Sequence, residues 1–266
     1  WSARANTRQL LRDYAAFAAW SYKQHLGNDL EGAAWLTLGP INHREPHHSP
    51  KTPAAADLPH YRDVNLAECH CNPPAHPSTY YRFALGSDTI TTAGTPAAPG
   101  LSSALPHVIR TLVRGDSTLP RLGIIRVPGR TEVIAYGLMP TEWGDTIVYG
   151  FTFDSLSLIA GFDSVRQRAS LLPVAVTHGH PNRELLGLEI RDTAGALLHR
   201  SPGWPTDEKE WPYIAAESLP PLRGGFVARL TLTPATAPAL LAGGLPETPL
   251  AVVVAIGVLG VMAALV

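Results

Sequence analysis

The sequence predicts an α+β fold in which a long N-terminal helix is followed by two antiparallel-sheet modules and then by the start of a transmembrane helix. Three observations predict it. The opening residues place apolar side chains at three- and four-residue steps, the period of a helix. Short alternating segments bounded by glycine and proline then occur in two groups separated by one helical stretch, which is the element order of sheets flanked by helices. The chain closes on LAVVVAIGVLGVMAALV, without a charge, hydroxyl or amide side chain, and roughly 17 such residues are the least that span a bilayer core as a helix.

Taken in order, ANTRQLLRDYAAFAAWSYKQHL puts Leu10, Tyr14, Phe17 and Tyr22 at helical spacing with Leu11, Ala18 and His25 beside them. Gly27 reads as a stop and Asn28 or Asp29 as a new cap, so a second, shorter helix is expected. Residues 39–76 are rich in proline and histidine without periodicity and read as a loop. TYYRFALGSDTITTAG reads as two strands around Gly86-Ser87-Asp88, and LPHVIRTLVRG as a helix. Three more strands follow, punctuated by Pro128-Gly129 and Trp143-Gly144-Asp145. SLSLIAGFDSVRQRASLLP is helical again, with Leu156, Ile159, Phe162, Val165 and Ala169 at three- and four-residue steps. LLGLEIRDTAGALLHRSP is a hairpin turning at Asp192-Thr193-Ala194-Gly195, and FVARLTLTP is a last strand.

These elements divide the chain into a helical stalk (1–38), a larger sheet module carrying the histidine-rich loop (39–154), a connecting helix (155–172), a smaller sheet module (173–236), a linker (237–249) and a truncated membrane helix (250–266). Trp1 is the kind of interfacial aromatic found where a membrane helix emerges, and no basic residue follows Val266 to complete a span. The expectation is a region lying between two membrane helices, with residues 1–249 extracytoplasmic.

Composition narrows the function. The 21 basic and 22 acidic residues give a net charge of −1, which leaves no footprint for nucleic acid. Two cysteines are too few to build a disulfide scaffold, so the fold rests on its own cores. No G-x-S-x-G elbow and no phosphate-binding glycine loop is present, and an active site is not visible.

A long helix, a larger sheet module, a connecting helix, a smaller sheet module and a closing membrane helix resemble the double Cache (PAS-like) extracytoplasmic sensor region of bacterial membrane receptors. The segment LRDYAAFAAWSYKQHL and the hairpin LLGLEIRDTAGALLHRSP resemble those of sensor histidine kinases in particular. The resemblance covers nearly the whole chain, and it rests on architecture without a diagnostic motif. It implies a two-component histidine kinase whose catalytic domain lies outside this segment, sensing a small molecule or envelope stress and signalling through its membrane helices as a homodimer. The alternatives are a chemoreceptor-type sensor, a membrane-anchored metal-dependent hydrolase of the cell envelope, and a module that docks a partner protein on its sheet.

A sensor needs a pocket with apolar and aromatic walls and a few converging polar groups. Tyr81, Arg110, Arg126, Tyr136, Trp143 and Tyr149 are the candidates in the larger module, and Arg191, His199, Trp204 and Trp211 those in the smaller. Aromatics on strands also serve as core and cross-strand packing. No cofactor is expected. The run AECHCNPPAH nonetheless offers Cys69, His70, Cys71 and His76, soft ligands of the kind that zinc or copper takes, with His43, His47, His48 and His60 upstream. Three readings of the cysteines stand together: a metal site, a small disulfide, or free thiols.

Overall fold

The computed structural model describes residues 2–42, 52–69, 73, 75–113, 120–141, 144–177, 179–205, 207, 213–219, 225–233 and 236. Helix α1 runs unbroken from Ser2–Asn42, 41 residues or about 60 Å at 1.5 Å per residue. The break expected at Gly27 does not occur. Leu26 and Leu30 bury on the same face either side of it, and that packing outweighs the roughly 1 kcal/mol a mid-helix glycine costs relative to alanine. The buried stripe is Leu11, Ala15, Ala18, Tyr22, Leu26, Leu30 and Ala33. Leu10 and Phe17, expected in that stripe, face outward instead. The alanines explain the choice, because short side chains let strands approach the helix closely.

The span expected to be a loop contains a 3-10 turn at Ala55–Asp57 and helix α2, Leu58–Cys69. Only Leu58 of α2 is buried, which is why no apolar period announced it. Asn65 Nδ2 fastens it to α1 by donating to the Leu36 carbonyl at 2.6 Å.

The larger sheet comprises β1 (Pro77–Ala84), β2 (Thr91–Gly94), β3 (Arg121–Val127), β4 (Arg130–Pro140) and β5 (Thr146–Phe153), all antiparallel in the order β2-β1-β5-β4-β3. Strand alternation sends Tyr149, Phe151 and Phe153 into a core shared with α1, while Tyr81, Phe83 and Val148 face α3 (Leu101–Leu112) across the other side. Gly150 is required at the centre. A Cβ there would overlap both the Ala135 carbonyl and the Tyr81 ring, which crosses the glycine to donate its hydroxyl to that carbonyl at 2.9 Å.

Helix α4 (Ser155–Arg168) connects the modules. Its buried residues include Leu158, Phe162 and Val165, whereas Leu156, expected in the apolar stripe, is 79% exposed. Two single-turn helices, α5 (Val174–Thr177) and α6 (Asn182–Leu185), lead into the smaller sheet of β6 (Leu186–Asp192), β7 (Leu197–Arg200), β8 (Ile214–Ser218) and β9 (Phe226–Leu232), ordered β7-β6-β9-β8. Strand β8 was not expected from the sequence. Leu188, Ile190, Ala228 and Leu230 of this sheet enter the same continuous core as α1, α4 and the larger sheet. Lys23 Nζ of α1 also meets Glu217 Oε2 of β8 at 2.9 Å.

The expected α+β arrangement of one long helix and two antiparallel sheets, which the double Cache resemblance implied, is the one observed. Among the described residues no helix is long and apolar enough to cross a membrane, and residues 250–266 lie outside them.

Candidate functional site

A cleft of about 480 Å³ opens where the two modules meet, within the range of small-molecule sites. Three elements shape it. The β3–β4 turn at Gly129, whose φ of 81° suits glycine, contributes Arg126, Val127 and Thr131. The first two turns of α4 supply Ser155, Leu158, Ile159 and Phe162. The β6–β7 hairpin and the start of β9 supply Asp192, Leu197, Leu198 and Phe226.

Local chemistry fixes each wall. Asp154 caps α4 by accepting from the Ser157 amide at 2.7 Å, which sets the helix start and hence the position of Ser155. Asp192 Oδ1 accepts from the Ala196 amide at 2.8 Å, closing the hairpin turn, so this oxygen is committed to backbone. The floor of Leu158, Phe162, Val127 and Phe226 is buried, while Ile159 and Leu197 form an exposed apolar rim. Arg126 reaches across the module boundary to donate to Thr193 Oγ1 at 2.6 Å. Among the described lining residues no serine or threonine hydroxyl is hydrogen-bonded to a histidine or a carboxylate.

Beneath the floor lies a connection to α1. The carbonyl of Phe162 accepts from the Tyr22 hydroxyl of α1 at 3.2 Å in a buried position. Burial pushes the Tyr22 phenol well above its usual range, so it stays a neutral donor. The next residue, Asp163, faces His199 Nε2 at 3.3 Å and Arg166 at 3.1 Å, and Arg166 also donates to the Leu186 carbonyl at 3.2 Å.

The residues anticipated for one pocket in the larger module do not converge. Tyr81 and Tyr136 lie on the α3 face, both with phenols raised by burial. Tyr149 lies on the opposite face, where its hydroxyl donates to the Pro53 carbonyl at 2.9 Å and Arg82 approaches at 3.4 Å. Arg110 clips the β1–β2 turn, donating to the Leu85 and Ser87 carbonyls at 2.8 and 2.7 Å and to Asp88 at 2.7 Å. Of the five that lie among the described residues, only Arg126 lines the cleft. Trp143 lies outside the described residues.

In the smaller module Arg191 belongs to a cluster whose centre the sequence did not single out. Glu189 is fully buried, and Arg191, Arg200 and Arg229 all donate to its carboxylate, at 2.6, 2.5 and 2.8 Å. Burial raises this carboxyl, but the three guanidiniums outweigh it and bring its pKa down from 4.5 to about 2. Trp204 flanks the cluster with the Arg229 guanidinium 5.6 Å from its ring centroid. His199 points the other way, toward α4, and Trp211 lies outside the described residues.

Of the soft-ligand loop, Cys69 is disulfide-bonded, and His70 and Cys71 lie outside the described residues, as do His43, His47 and His48. His76 Nδ1 sits 2.9 Å from Arg62, and His60 is exposed beside Tyr61. Among the described residues no three histidine, cysteine or acidic side chains are grouped to hold a metal. Near Cys69 an open groove of about 760 Å³ runs between α1 and α2, lined by Asp29, Trp35, Asn65, Glu68 and Arg168. Burial raises the Asp29 carboxyl there, against the lowering influence of Arg168 and His25.

No protein-family model matches the chain, and no curated protein matches it. Among solved structures it is similar to the ligand-binding domain of the Pseudomonas aeruginosa PAO1 amino acid chemoreceptor PctB in complex with L-Arg, at 11% identity and a TM-score of 0.46, covering 93% of this chain and 99% of that one. It is similar also to the ligand-binding domain of the Campylobacter jejuni chemoreceptor Tlp3 in complex with 4-methylisoleucine (9% identity, TM-score 0.43, 91% and 94% covered). A further similar chain is the Vibrio cholerae LuxQ periplasmic domain (11% identity, TM-score 0.35, 86% and 98% covered). No residue role passes across likenesses this distant.

Proposed function

We propose that this chain is the extracytoplasmic signal-sensing region of a membrane-bound sensor histidine kinase, and that a small molecule entering the cleft between its modules sets the state of α1. The observation that carries this reading is the double role of Phe162. Its side chain is cleft floor, and its carbonyl holds the Tyr22 hydroxyl of a helix that runs past both sheets. A ligand that prefers one spacing of the modules shifts the population of helix positions by its difference in affinity for the two spacings.

The same helix supplies the homodimer contact. Leu10, Phe17, Trp20 and Trp35 lie along one outward strip of α1, Trp20 being 49% exposed with its ring tilted against that of Phe17 at 5.8 Å between centroids. A second copy covering that strip would place the two α1 helices side by side, the geometry through which a helix shift reaches paired kinase domains. Trp20→Glu is expected to convert the full-length protein from dimer to monomer by sedimentation. A dimer of unchanged stability overturns the contact.

The reading is tested on the full-length protein in membranes by introducing Leu197→Cys at the cleft rim and labelling it with thiol reagents of increasing size. Autophosphorylation is expected to change stepwise with the size of the label. Labelling to completion without a change in output refutes it.

A further inference from the structure

The lining of the cleft is divided by chemistry. One end carries the Arg126 guanidinium with the hydroxyls of Thr131 and Ser155, and the rest is hydrocarbon from Leu158, Ile159, Phe162, Leu197 and Phe226. We propose that the cleft binds an amphipathic monocarboxylate, its head group on Arg126 and its alkyl chain over the Phe162–Phe226 floor. This deepens the sensor reading and rests on it for taking the cleft as the occupied site.

Three observations select that class. Arg126 is exposed at the mouth and has no carboxylate partner among the described residues, while Arg110, Arg166 and Arg200 are each paired with an acid. One of its five N–H donors is used on Thr193, which leaves a fork free for a planar carboxylate. Asp192 adds a negative charge to the lining, and its repulsion scales with the charge of the ligand, so a monoanion on Arg126 is favoured over a dianion such as a phosphate monoester. The apolar rim formed by Ile159 and Leu197 is exposed, and an alkyl chain is the covering whose burial removes that surface from water.

An ammonium head group is disfavoured at the mouth, where it would face the Arg126 guanidinium. Occupancy would also strengthen the module junction. A carboxylate on Arg126 holds that side chain against Thr193, so both sheets contact one ligand.

The test is calorimetric titration of the full chain in nanodiscs with hexanoate, hexanol and hexylammonium, against empty nanodiscs. Hexanoate is expected to bind saturably at one site. Arg126→Gln should weaken it by about tenfold or more, the scale of a lost charged hydrogen bond. Ile159→Glu, which places a second anion on the rim and is tolerated at an exposed position, should weaken hexanoate by a larger factor than it weakens hexanol, both losing the apolar contact and only hexanoate meeting the added charge. Saturable hexylammonium binding as tight as that of hexanoate, or hexanoate binding that both variants leave intact, overturns the proposal, as does absence of hexanoate binding. Because no signalling output is read, hexanoate binding without any effect on autophosphorylation would uphold this assignment and sink the sensor reading, while signalling without hexanoate binding would do the reverse.

Discussion

Glu189→Gln is expected to destabilise the protein by about 3–5 kcal/mol, the cost of removing one partner from a buried ion cluster. The carboxylate accepts five hydrogen bonds, two from Arg191, two from Arg200 and one from Arg229. Glutamine keeps the volume but offers one acceptor oxygen and turns an amide N–H₂ toward guanidiniums. Three like charges are then left around a neutral group on the face of the small sheet. The linkage between protonation and folding gives an independent scale. A carboxyl lowered from 4.5 to about 2 contributes about 3 kcal/mol at neutral pH, at roughly 1.4 kcal/mol per pKa unit.

The sign of the pH dependence follows. The native carboxyl is depressed, so the stabilisation is complete above the unfolded value of 4.5 and is lost as pH falls through the interval down to about 2. By pH 3 roughly 2 kcal/mol of it should be gone. The assay is urea unfolding of wild type and variant at pH 7 and at pH 3, followed by tryptophan fluorescence, for which Trp204 beside Arg229 is a local reporter. Taking the difference between the two proteins cancels the titration of every other acid. A gap below about 1 kcal/mol at pH 7, or a gap of the same size at both pH values, would refute the reasoning.

Other expectations follow from single contacts. Gly150→Ala forces a Cβ into the Ala135 carbonyl and the Tyr81 ring and should cost about 3 kcal/mol or more, read as a lowered urea midpoint. Asp154→Ala removes the cap of α4 and should cost about 1 kcal/mol in the same measurement, with Asp154→Asn recovering most of it. Tyr22→Phe leaves the Phe162 carbonyl without its donor and should cost about 1–2 kcal/mol, and hydrogen exchange of the α4 amides should speed up with it.

How much of this could be read from the sequence depends on whether the signal was local. The hairpin at Asp192-Thr193-Ala194-Gly195 was legible because the turn is closed by its own residues, Gly195 amide to Asp192 carbonyl at 3.0 Å. Strand β8 was not, because Ile-Ala-Ala-Glu-Ser is short and half-exposed and becomes a strand through its pairing with β9. Helix α2 stayed hidden for a related reason, as Leu58 is its one buried residue and no apolar period marks it. The site was the least legible part. Tyr81 and Tyr149 both stand on strands, but which share a face is set by register, and the pairing of Tyr81 with Gly150 puts Tyr149 beside Arg82 on the far side. The cleft itself joins Arg126 to Thr193, 67 residues apart, and nothing in the local pattern of either residue marks that meeting.

The proposed sensor reading would make α4 the transmitter, and its attachments suit that role. Its N-terminal end is tied to the larger module, since the Asp154 amide donates to the His76 carbonyl at 2.8 Å and the His76 amide to Ser157 Oγ at 3.0 Å. Its C-terminal end is tied to the smaller module through Arg166 and the Leu186 carbonyl, and its middle to α1 through Tyr22. A helix pinned at both ends and in the middle cannot absorb a ligand by bending locally without losing one of these bonds, and those of Tyr22 and Arg166 are buried and costly to leave unmade. Closure of the cleft over an alkyl chain would instead move the two sheets as bodies, and the element packed against both is α1. On the proposed sensor reading, a signal would reach the long helix through core packing, with no flexible segment needed between the site and the helix.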